Sequence, residues 1–144
     1  MDISIKIKTK IMTLIEIFVI LILHWIADFV FQTDKQAKGK SKNWIDLLNH
    51  TSNYTITFIG ALSLWCMFQN HIGNIKASDI GWTPRILLFF PITFVCHTIT
   101  DYFTSRLNTK LWAKGNVHNF FVSVGFDQLL HYIQLFLTYY LLKY

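Results

Sequence analysis

Histidine and aspartate stand four residues apart three times in this chain: His24 with Asp28, His97 with Asp101 and, in reversed order, Asp127 with His131. On a helix that spacing puts both side chains on one face about one turn apart, where they can grip a single ion or substrate atom. Imidazole and carboxylate together suit zinc, manganese or iron. With one coordination position left open, such an ion acidifies a bound water and polarises a phosphoryl or carbonyl oxygen. The chemistry in view is therefore hydrolysis. His50 adds a seventh donor, enough for two or more ions, and some of the aspartates could instead orient a ligating histidine through its other ring nitrogen.

The elements that must carry these residues are apolar. The chain has 144 residues, 53% hydrophobic and 15% charged, with a mean hydropathy of +0.38. That is too apolar for an ordinary water-soluble domain. Four segments, 11–31, 46–69, 85–106 and 119–142, approach the length of about 20 residues that spans hydrocarbon. The fold expected is all-α: one polytopic membrane domain over residues 1–144, a compact bundle of four transmembrane helices with both termini on one side. Lys6, Lys8 and Lys10 precede the first segment like the start of a signal peptide. No small-residue cleavage site follows, so that helix is expected to be retained.

Cys66 and Cys96 lie inside spans and read as small apolar fillers rather than a disulfide or metal pair. Two glycosylation sequons, at Asn49 and Asn53, lie too close to the membrane to be good acceptors and read as chance. Residues 32–42 read as a polar connector whose lysines reach headgroup phosphates, and residues 70–84 as a turn-rich loop. Pro91 should kink the third helix. Glu16 lies off the His24/Asp28 face and reads as a headgroup-level residue.

Depth turns the pairs into one site. His24 and Asp28 lie late in helix one, His50 early in helix two, His97 and Asp101 late in helix three, and Asp127 and His131 early in helix four. Alternate helices run in opposite directions, so all seven converge near one face of the bilayer. Ionisable groups in lipid each cost several kcal/mol and so turn inward to pair or to bind ions. Lysine and arginine number six on the side of the termini and seven on the other, too even for the positive-inside rule to fix orientation. The site is expected on the cytoplasmic side. The net charge of +5 suits contact with anionic lipid, and no nucleic-acid motif is present.

These residues carry a resemblance. The set His24-x-x-Ala27-Asp28-Phe29-x-x-Gln32-Thr33-Asp34 with Lys40, Leu48-x-His50, His97-x-x-x-Asp101-Tyr102 with Arg106, and Asp127-Gln128-x-Leu130-His131 resembles domain-of-unknown-function family 3307. Its members are small bacterial and phage membrane proteins without an established activity. The set is also similar, more distantly, to membrane-bound metal-dependent hydrolases and to the helical zinc phospholipase C and nuclease group. It departs from the latter by placing Asp-x-x-x-His, with no glutamate, in helix four.

The expectation is a multi-pass protein of the bacterial inner membrane, a metal-dependent hydrolase of a phosphoester or lipid-like substrate. Zinc is the first choice of ion, with manganese or iron as alternatives. Ligand candidates are His24, Asp28, His50, His97, Asp101, Asp127 and His131. Catalytic candidates are His50, Asp28 and Lys40, and substrate contacts are Lys40, Arg106, Gln32 and Gln128. Expected partners are the bilayer and an anionic phospho-substrate, with a homo-oligomer left open and nucleic acid entering only through the nuclease likeness. Two rival readings remain: a bis-histidine haem between helices, and an ion or proton transporter or small pore.

Overall fold

The computed structural model describes residues 12–71 and 84–143. The described residues form helices joined by turns: α1 (Leu14–Trp25), a π-helical segment (Ile26–Val30), α2 (Asp34–Gly39), α3 (Trp44–His71), α4 (Pro84–Ala113) and α5 (Val117–Lys143). The loop expected at 70–84 and the amino-terminal lysines lie largely outside the described residues.

Each start is fixed locally. Thr13 and Glu16 make a reciprocal capping box that satisfies two of the backbone donors exposed at the start of α1. Thr33 and Gln36 do the same for α2. Asn43 accepts from the Asp46 backbone N–H at 2.8 Å where α3 begins. The third segment, expected to end at residue 106, is longer, because α4 runs on to Ala113. It stops at Gly115, whose φ of 67° is the left-handed conformation glycine tolerates best. There the Gly115 N–H bonds the Trp112 carbonyl and the Asn116 N–H that of Leu111, closing a Schellman turn. The α-helical assignment passes through Pro91 without interruption.

The four expected spans are corrected to two. Among the described residues, Leu87–Ala113 and Val117–Leu142 are long and apolar enough to cross a membrane. The first expected span divides into a 12-residue α-helix and a five-residue π-helix. The second, α3, is 28 residues long but carries Asn49-His50-Thr51-Ser52-Asn53 within its first three turns, which makes that end polar.

Packing is inside-out relative to a water-soluble bundle. Of the buried described residues, sixteen are polar or charged and seven apolar. Meanwhile Phe18, Ile22, Phe103, Phe121, Phe126 and Ile133 are among the many large apolar side chains facing outward. α4 lies along α5 and against α3, while α1 touches α3 and α5. A small apolar core of Ile20, Ala27, Tyr54, Phe58, Phe90 and Leu135 fills one part of the interior, and the His/Asp pairs occupy the rest.

Candidate metal centre

The interior of the bundle gathers Asp28 from the π-helical segment, His50 from α3, His97 and Asp101 from α4, and Asp127 and His131 from α5. All six are buried. Four of them form a tight set. His50 Nε2 lies 3.0 Å from Asp28 Oδ1 and 3.0 Å from Asp101 Oδ2. His97 Nε2 lies 3.5 and 3.6 Å from the same two oxygens, and the two imidazole nitrogens are 3.2 Å apart. The sixth edge, between the carboxylates, falls within the 4.8 Å that bounds the whole set. Four donors about 2.0–2.1 Å from a central ion in tetrahedral array stand about 3.3–3.4 Å from one another. The five measured edges bracket that value, so one tetrahedral cation matches the tetrad.

Charge agrees. Asp28, Asp101 and Asp127 are three buried carboxylates, and Lys40 Nζ, 2.9 Å from Asp101 Oδ2, is the ammonium that meets them. Were the histidines neutral, as ligands must be, three negative charges against one positive would leave two. Buried charge in that state is strongly unfavourable, and a divalent ion balances it. Hydrogen bonding points the same way: Asp28 Oδ1, Asp101 Oδ1 and His131 Nε2 are buried without a hydrogen-bond partner although oppositely charged or polar atoms lie close by. Atoms crowded together in this way could share a cation.

The rings are held by stacking. His97 is sandwiched between Tyr54, centroids 3.9 Å apart, and His131, centroids 4.1 Å apart, with planes within 23° and 24°. Aspartates are held by neighbours: Thr104 donates to Asp127 Oδ1 at 2.5 Å, and the Gln128 amide donates to Asp28 Oδ2 and Asp127 Oδ2, each at 3.1 Å. Thr104 and Tyr54 were not singled out from the sequence. Both could have been found, because Thr104 lies three residues after Asp101 and Tyr54 four after His50, on the same helix faces.

The remaining expected residues fall at different distances. His24 stands one step back, since its Nε2–H donates to Gln128 Oε1 and its Nδ1 accepts from the Tyr54 hydroxyl, both at 2.7 Å. With both nitrogens engaged, and 3.8 Å between Nε2 and Asp28 Oδ2, it supports Gln128 and Asp28. Gln32 meets His50 Nδ1 at 3.0 Å. The same amide nitrogen lies 3.3 Å from His50 Nε2.

Lys40, on the connector at the mouth of the bundle, keeps 16% of its side chain exposed. Burial pulls its pKa down, but the carboxylates of Asp101 and Asp28 outweigh this and hold it above the usual lysine value. Arg106 is not in the cluster; it donates to the Tyr102 carbonyl and lies 3.7 Å over the Tyr102 ring. That ring in turn stacks on Trp44. Glu16 accepts from Tyr139 at 2.8 Å, tying the start of α1 to α5. Cys96 is a free, half-buried thiol, and His71 and His118 are exposed away from the centre.

Fold and site together define an all-helical bundle whose interior is a His/Asp cluster able to hold metal. A family model described as protein of unknown function (DUF3307) matches residues 16–144. The chain belongs to that family. No curated protein and no solved structure matches the chain.

Proposed function

We propose that the chain is a multi-pass protein of the bacterial inner membrane that hydrolyses a phosphoester of an anionic, lipid-like substrate at a divalent metal ion, zinc being the best match. The carrying observation is the tetrad of Asp28, His50, His97 and Asp101, with edges of 3.0 to 3.6 Å. Two imidazoles and two carboxylates in tetrahedral array suit zinc, and manganese or iron would accept the same donors. The polar interior and apolar exterior support a lipid surround, where helices turn small and polar groups inward. The rise to α3's start supports a site near one face: His50 is six residues, about 9 Å, beyond Trp44.

The ion supplies Lewis acidity and a more acidic bound water. The chain's own residues do the rest. Tyr54 and His131 hold the His97 ring by stacking, and Gln128 and Thr104 fix the carboxylates. Lys40 moves from Asp101 onto a phosphoryl oxygen, neutralising the substrate's charge as it enters. Arg106 on its aromatic platform offers an anion contact at the rim.

Full-length protein in detergent, loaded with zinc or manganese, should hydrolyse bis(p-nitrophenyl) phosphate or phosphatidylglycerol vesicles. Chelation should stop the reaction, and Asp101→Asn should lower the rate at least a hundredfold. Metal-loaded protein inert towards all of these would overturn the hydrolase reading.

A haem is disfavoured by the packing, since His97 and His131 stack directly and carboxylates fill the space beside them. A relay reading is favoured by one observation. Gln134 donates to Thr93 and Thr138, extending the polar interior beyond His131. Proton flux into proteoliposomes, lost in Gln134→Leu, would support it.

A further inference from the structure

We infer that the centre holds two divalent ions rather than one, the second bound by His131 and Asp127 and joined to the first through the Asp28 carboxylate, which belongs to both donor sets. The inference rests on the metal reading of the tetrad and adds a site beside it.

Asp101 faces two ways. Its Oδ2 points at His50 and His97, while its Oδ1 lies 3.3 Å from His131 Nε2 and makes no hydrogen bond. His131 Nε2 is also 3.4 Å from Asp127 Oδ1 and makes no hydrogen bond although the residue is only 1% exposed. These edges repeat those of the tetrad. Asp28, Asp127 and His131 further present three donor atoms within 4.8 Å of one another, so Asp28 stands beside both positions. The second position thus has its own imidazole, its own carboxylate and access to a carboxylate shared with the first.

Ring stacking sets the spacing. His97 and His131 lie nearly parallel with centroids 4.1 Å apart, and both Nε2 atoms approach the Asp101 carboxylate, each nearest a different oxygen. With both ring nitrogens turned towards one carboxylate, ions bound to them would be near neighbours, as paired ions are in phosphoester-cleaving centres. Charge then explains the anionic substrate class. Three carboxylates and the Lys40 ammonium total minus two, so one divalent ion neutralises the centre and a second leaves plus two, a charge that a bound phosphate group would offset and a neutral ester would not.

Elemental analysis of full-length protein, purified in detergent and loaded with manganese(II), tests this. Two ions per chain are expected in the wild type, and one in both His131→Gln and Asp127→Asn. A second measurement needs no variant. The manganese-loaded wild type should show the multiline electron paramagnetic resonance spectrum of an exchange-coupled pair. One ion per chain with an uncoupled six-line spectrum would overturn the second site and leave the tetrad standing. No bound ion would overturn both.

Discussion

Lys40 and a metal ion at the proposed centre would compete for the same oxygen. The ammonium lies 2.9 Å from Asp101 Oδ2 and 3.4 Å from His50 Nε2, two atoms of the tetrad, so binding an ion opposes the lysine's charge at close range. Lys40→Met should therefore tighten metal binding several-fold in a competition titration while raising KM for an anionic phosphoester. A variant that lost metal would show that Lys40 builds the site rather than guards it. Tyr54 acts on two residues at once, through its stack on His97 and its hydroxyl on His24. Tyr54→Phe keeps the stack and removes the hydroxyl. Metal affinity should fall by less than the roughly ten- to a hundredfold that losing a ligand's own partner costs, because the hydroxyl acts only through His24, and isothermal titration would read it. The clustering of histidine and aspartate was legible in the sequence because residues four apart share a face once the segment is helical. The engagement of His24 was not, since its partners lie 30 and 104 residues away.

At the scale of elements, the π-helical segment is what delivers Asp28. Wider winding over Ile26–Val30 shifts the register by a fraction of a turn, and nothing in the residue types of that stretch announces it. α2 was legible in hindsight, because Thr33-x-x-Gln36 is a capping-box pattern inside what reads as a polar connector. Its docking depends on Gly39, where a Cβ would run into the Asp46 carboxylate. Gly39→Ala should cost about 1–3 kcal/mol by overpacking, visible as a lower melting temperature in detergent. Because α2 leads directly to Lys40, substrate KM should rise with it. Gly115→Ala, in the tight turn between α4 and α5, should cost about 1 kcal/mol from its positive φ and leave metal content unchanged. The extension of α4 to Ala113 escaped the sequence because Arg106, Asn108 and Lys110 look like a solvated loop. They are also good enough helix residues to continue the helix until glycine stops it.

For the whole molecule, the all-helical class was legible in composition and apolar segments, but the number of helices was not: four were expected, and the described residues form five α-helices and a π-helical segment. What composition could not supply is which helices are apolar along their length: the polar start of α3 and the divided α1 leave two that qualify. If the bundle as a whole nevertheless lies in the bilayer, membranes washed with alkaline carbonate should retain the full-length chain, and its release into the supernatant would contradict the multi-pass reading. The central claim is a metal ion between helices that meet through imidazole and carboxylate. X-ray absorption at the zinc edge on zinc-loaded protein tests it most directly. The account predicts a nitrogen and oxygen shell at about 2.0–2.1 Å with outer scattering from at least two imidazoles, lost in His97→Gln. A spectrum of hydrated zinc alone, or one carrying a sulfur shell, would contradict it.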